Sequence, residues 1–131
     1  MQNFPKIEKL CSKTLIDKLF EKKQKITKYP LTLFWIETEL LEKVSVQSTV
    51  TVSKRRFKKA VTRNLLKRRI REAFRLNKYD YLYQQLENQN KQLAIMIVYQ
   101  SNDILKYSEI ESAMLLLLKK LSKRIDHQKS V

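Results

Sequence analysis

Between Ser53 and Arg75 the chain sets eleven Lys and Arg against a single acid, Glu72, yet keeps apolar residues at helical spacing. At about 100° per residue, Leu66, Ile70, Ala73 and Phe74 share one arc of a helix, while Asn64, Lys67, Arg68, Arg71 and Arg75 share a neighbouring one. Such a segment must dock on a core by one stripe and show cations beside it. The row Arg63, Lys67, Arg71, Arg75 repeats like charge every four residues, which destabilises an isolated helix by about 0.2–0.5 kcal/mol per pair. Fold stability therefore does not account for the row, and an anionic partner does.

The rest of the composition says what kind of body carries this helix. A chain of 131 residues is long enough for one domain with one core, and we expect a single unit ordered from about residue 7 to 124. A net charge of +15 beside 43% hydrophobic residues describes a globular polyanion binder, not a disordered tail. The apolar run Ala113–Leu118 is far too short to span a bilayer. Met-Gln-Asn-Phe-Pro-Lys at the start has no apolar signal region. The lone cysteine, Cys11, forms no intrachain disulfide and suits a reducing cytoplasm. Glycine is absent, so left-handed turns fall to Asn, Asp or longer loops.

Periodicity places the other elements. Leu15, Ile16, Leu19 and Phe20 predict a helix over Thr14–Lys23. Leu31–Thr38 reads as a strand after Pro30. In the next strand Val44, Val46, Val50 and Val52 alternate with Ser45, Gln47, Thr49 and Thr51, giving one apolar and one hydroxyl-rich face. Leu93–Tyr99 is apolar throughout, which suits a central strand buried on both faces. Tyr79–Gln92 reads as a helix end and a connecting loop. Ser108 and Glu111 form a capping-box pair ahead of Ile110, Ala113, Met114, Leu117, Leu118 and Leu121, so a helix is expected to about Lys123, with a frayed tail beyond. The order helix, strand, strand, basic helix, strand, helix, with room for a further short strand, is an α+β arrangement of helices on a small sheet.

Neither a helix-turn-helix pair nor a dimeric zipper adjoins the basic helix, which argues against a DNA reader. Folded RNA fits better, because Arg and Lys can clasp its backbone without a base-reading register. The run Phe57, Ala60, Arg63, Asn64, Leu66, Lys67, Arg68, Ile70 and Arg71, after the strand end Ser53, Lys54, Arg55, closely resembles the arginine-rich signature of the bacterial ribonuclease P protein component. The resemblance takes in most of the chain, leaving out residues 1–5 and 125–131.

That resemblance implies a two-layer α+β sandwich like the second domain of ribosomal protein S5, a small mixed sheet with helices packed on it. It includes a left-handed βαβ crossover, against the usual right-handed preference. It also implies a protein subunit that binds the ribonuclease P RNA and the 5′ leader of precursor tRNA. The RNA and Mg2+ ions held mainly by it would then cut the leader away to leave a mature 5′ end. Carried over by position, Arg63, Asn64, Lys67, Arg68 and Arg71, with Arg75 as an extension, face the catalytic RNA. Ile16, Phe20, Phe34, Lys54, Arg55 and Arg56 fall at or near the leader-binding cleft. The resemblance gives the protein no catalytic group and no metal ligand. It requires no protein or membrane partner, and places the protein in the cytoplasm. Trp35 reads as core.

Two rival classes remain open on residues alone. A protein-only nuclease needs converging carboxylates or a His-based metal site, but the acids are dispersed and the one histidine, His127, lies in the tail as an expected surface residue. Cys11 has no base partner and reads as a small, half-buried residue. The other rival is a ribosomal or other structural RNA-binding protein with no role in tRNA processing.

Overall fold

Leu93–Tyr99 is an interior strand of a four-stranded mixed sheet, as its unbroken apolar run requires. The computed structural model describes residues 10, 12–40 and 44–129, with side chains as far as 125. Its elements are α1 (Lys13–Lys22), β1 (Lys25–Lys28), β2 (Leu31–Glu37), β3 (Val46–Val52), α2 (Ala60–Lys78), α3 (Gln84–Gln89), β4 (Leu93–Tyr99) and α4 (Tyr107–Lys129). The sheet order is β1-β2-β4-β3, antiparallel except where β3 meets β4. A parallel pair needs a crossover, and α2 with α3 supplies it. β1 is the extra short strand for which the sequence left room.

Alternation along β4 divides the core in two. Leu93, Ile95, Ile97 and Tyr99 join Leu66, Ile70 and Phe74 of α2 and Leu117 and Leu121 of α4 in the main core. Ala94 and Met96 pack instead with Leu19 of α1, Ile36 and Leu10. Thus α2 and α4 cover one face of the sheet, and α1 covers part of the other. Trp35 is core, as expected. In β3 the expected alternation holds, with Val46, Val50 and Val52 buried and Ser48 buried in register with them. The strand starts at Val46, paired with Leu93, whose N–H donates to Ser45 O (2.9 Å); before it, Val44 O accepts from a side chain, Gln92 Nε2 (2.8 Å), and not from the β4 backbone.

Without glycine, two helices end on residues that carry a Cβ. Lys23 (φ 56°) closes α1 by donating its N–H to Leu19 O, and Asn90 (φ 55°) closes α3. The left-handed region costs a lysine roughly 1–2 kcal/mol, and asparagine visits it more readily. Ser12 caps the start of α1, its Oγ accepting from Leu15 N at 3.3 Å.

Three local expectations change. Tyr79–Gln92 is helical as far as Gln89, through a π turn at Tyr79–Tyr83. The π turn inserts one residue, which shifts the register so that Leu82, Tyr83 and Leu86 continue the buried stripe. Ser108 does not cap α4: the N–H groups of Glu109 and Ile110 donate to Lys106 O (3.1 and 3.2 Å), two residues before Ser108. Glu111 accepts instead from Tyr107 OH (3.2 Å) and Asn77 Nδ2 (3.3 Å). Finally, α4 runs beyond Lys123 to Lys129, because Ile125 adds another buried turn to its apolar stripe.

Candidate nucleic-acid interface

Two surfaces lie on opposite faces of the sheet. The first is the face that α1 only partly covers. Register puts Gln47, Thr49 and Thr51 of β3 beside Ala94, Met96 and Val98 of β4, then Ile36, Phe34 and Thr32 of β2. Among the described residues α1 packs on β2 and β4, and on the β3 side Leu10 is the described neighbour, its N–H donating to Ser48 O at 2.8 Å. Gln47 and Thr49 are half-buried and Thr51 is exposed. The hydroxyl-rich face of the Val strand is therefore a shallow floor, with α1 as one wall.

On that wall, Leu19 is wholly buried while its neighbour Phe20 is 53% exposed. The Phe20 ring stands 5.8 Å from the Phe34 ring in a tilted pair, and Ile16 is half-buried one turn earlier. A large apolar side chain half in water beside a partner ring leaves an aromatic face for a flat ligand. Ile16, Phe20 and Phe34 thus come together. Lys54, Arg55 and Arg56 are exposed in the turn that follows β3, at the end of the floor marked by Thr51 and Val98. Arg56 is steadied by donating to Asn102 Oδ1 at 3.0 Å. Sequence reasoning missed Lys25, exposed on the same face because β1 pairs it with Phe34. Its signal was the hairpin register, which periodicity over so short a strand does not reveal.

The second surface is the outer side of α2. Its buried stripe is Leu66, Ile70, Ala73 and Phe74, as the projection requires. Asn64, Arg68 and Arg71 are exposed and Lys67 half-exposed, and among the described residues none gives Lys67, Arg68 or Arg71 a hydrogen bond or ion pair. Two of the expected cations are otherwise engaged. Arg63 lies at the edge of the apolar stripe and donates to the carbonyls of Phe57 and Lys58, both at 2.9 Å, which fastens the preceding turn to the helix. Arg75 forks onto Glu72 at 2.9 and 2.8 Å. The Arg75 guanidinium holds the Glu72 carboxyl below the usual carboxylate range, first through this hydrogen bonding. Arg69, on the other flank, donates to Leu105 O.

Among the described residues, no three His, Cys, Asp or Glu converge as a metal site. No described helix is long and apolar enough to cross a membrane. Cys11 and the side chain of His127 lie outside the described residues.

The family model for ribonuclease P matches residues 4–122. The chain belongs to the ribonuclease P protein family. Ribonuclease P protein components from two strains of Porphyromonas gingivalis are similar to it. For strain ATCC 33277 the identity is 30% over 109 residues, covering 83% of this chain and 79% of the relative. For strain W83 it is 32% over 111 residues, with the same coverage. The fold matches the RNase P protein of Staphylococcus aureus with a TM-score of 0.68 at 17% identity, over 87% of this chain and 94% of that one. The Thermotoga maritima RNase P protein gives 0.68 at 19%, over 86% and 96%. Membership makes this chain the protein component of ribonuclease P, a subunit of the tRNA-processing ribonucleoprotein that works with ribonuclease P RNA. The readings as a protein-only nuclease and as a structural RNA-binding protein fall away.

Proposed function

We propose that α2 docks on the catalytic RNA while the open sheet face receives the 5′ leader of precursor tRNA. On α2, Asn64, Lys67, Arg68 and Arg71 meet the RNA backbone, with Arg63 and Arg75 as flanking contacts. On the sheet face, Phe20 and Phe34 stack on leader bases, Ile16 fills the apolar wall, and Lys54, Arg55 and Arg56 hold phosphates at the far end of the floor. The observation that carries this reading is the placement of the two surfaces on opposite faces of one sheet. Two RNA strands can then be held together without competing for the same side chains.

In this reading Mg2+ stays mainly with the RNA, and the protein contributes affinity and position. No further protein partner is needed, and the site of action is the cytoplasm.

Reconstitution tests it. Purified protein with its cognate ribonuclease P RNA is expected to accelerate 5′ cleavage of precursor tRNA at low Mg2+, and to favour substrates with long leaders over mature tRNA. No acceleration, or equal binding of leader-bearing and mature tRNA, sinks the reading.

A further inference from the structure

With the eleven cations and one acid of residues 53–75 set aside, 17 Lys and Arg face 12 acids in the remainder of the chain. Charges so nearly balanced can pair locally, and a cluster with no acid beside it among the described side chains needs its own explanation. One such cluster lies at the β1 edge of the sheet, the edge opposite β3, where α4 packs on β1. Lys120, Lys123 and Arg124 line a groove of about 310 Å3 there, with Ile26 as the remaining wall. All three cations are exposed, and among the described residues none is hydrogen-bonded or ion-paired. Lys28 is exposed on the same face of β1 as Ile26, since their partners Leu31 and Leu33 both belong to the main core.

Ordinary roles for these charges do not suffice. Cations offset a helix dipole only within its last turn, and α4 continues to Lys129, well past Lys120. Lysines guard an edge strand when they sit on the strand; Lys25 and Lys28 already do so, whereas the groove cations are on α4. Spacings of three and four residues make Lys120, Lys123 and Arg124 repel one another as the α2 row does. A shared polyanion removes that repulsion.

We propose that the groove between α4 and β1 is a second docking surface for the phosphodiester backbone of the catalytic RNA. This rests on α2 as the RNA-docking helix. The helices α2 and α4 pack together in one layer, so the RNA that meets α2 lies on the groove's side of the sheet. A leader on the open face lies on the other side.

The test uses the full-length protein carrying Lys120→Gln, Lys123→Gln and Arg124→Gln, which keeps much of each aliphatic stem. Binding to the cognate ribonuclease P RNA and to precursor tRNA is measured separately across a KCl series. For the catalytic RNA the expected result is at least a tenfold loss of affinity and a salt slope shallower by about 0.9 for each phosphate no longer neutralised. Binding of precursor tRNA is expected to stay within twofold. Unchanged affinity and slope for the catalytic RNA overturn the role of the groove, even where the wild type binds that RNA normally. A loss confined to precursor tRNA also overturns it. If the wild type itself does not bind the catalytic RNA, the reading of α2 fails first and takes the groove with it. Should the triple variant lose its cooperative melt, Lys123→Gln alone, at an exposed position, is expected to lower affinity and to make the slope shallower by about 0.9, the share of one phosphate. No change in either quantity counts against the groove.

Discussion

Arg75 grips Glu72 with two hydrogen bonds, 2.9 and 2.8 Å, one turn back along α2. The one acid among the basic residues of this helix therefore neutralises the last cation of the row proposed to meet RNA. Its carboxyl sits below the ordinary value of about 4.3. A depressed acid contributes stability above its unfolded value and loses it as pH falls through the folded one, so the clamp stays closed at neutral pH. Glu72→Gln is expected to release Arg75, raise affinity for the catalytic RNA several-fold and steepen the salt slope by up to about 0.9. Filter binding over a salt series reads both quantities. Affinity equal to or below wild type shows that Arg75 is not held in reserve for RNA.

The unengaged cations carry more weight. Arg68→Ala with Arg71→Ala is expected to flatten the salt slope for the catalytic RNA by about two and to weaken binding alike for specific and non-specific RNA. The melting temperature should barely move, because both side chains are exposed and unpaired among the described residues. Arg63→Ala is expected to differ. It also leaves the carbonyls of Phe57 and Lys58 without their donor, so a stability loss accompanies the binding loss. Thermal melts beside the binding series separate the two cases.

Leu19 and Phe20 are adjacent on α1 yet serve different ends. Leu19→Ala removes a fully buried side chain and is expected to cost about 2–5 kcal/mol of stability. Phe20→Ala removes a ring that is 53% exposed. It is expected to spare the fold and to weaken binding of long-leader precursors by the roughly 1–3 kcal/mol of one stacked base. Mature tRNA should bind as before. Equal losses for both tRNAs, or a collapse of the melt, would assign Phe20 to the core.

How much of this was readable beforehand depends on whether local pattern or distant pairing decides. The α2 stripe was legible because Leu66, Ile70, Ala73 and Phe74 keep strict helical spacing. The interior place of β4 was legible because its run has no polar position to give to water. Leu82, Tyr83 and Leu86 escaped because one inserted residue at the π turn puts them out of phase with Phe74. Ser108 and Glu111 had the right spacing for a capping box, but the backbone begins the helix two residues earlier, on Lys106, and spacing alone cannot show that. The engagement of Arg63 and Arg75 was invisible for a related reason: a helical wheel counts charges and not their partners. Lys25 joined the open face only through the β1–β2 register, a tertiary fact.

The last prediction concerns alkaline pH. Burial, then the charge of Glu111, pushes the Tyr107 phenol up to about 12, and burial raises Tyr99 as well. A group whose folded value is raised contributes stability below its unfolded value and loses it as pH climbs through the folded one. Melting temperature should therefore hold to about pH 10, the ordinary tyrosine value, and fall between there and about 12 as Tyr107 loses its proton. Tyr99 adds a structural cost, since its hydroxyl donates to Asp103 O (2.6 Å) and accepts from Leu105 N (3.1 Å), tying down the segment after β4. Tyr99→Phe is expected to cost about 1–3 kcal/mol at neutral pH, because both backbone groups lose their partner. Tyr107→Phe should flatten the alkaline fall while its neutral-pH stability drops by about 0.5–1.5 kcal/mol for the one hydrogen bond removed. Thermal melts from pH 7 to 12 on the three proteins measure this, and an alkaline slope unchanged by Tyr107→Phe rules out its phenol as the group that titrates.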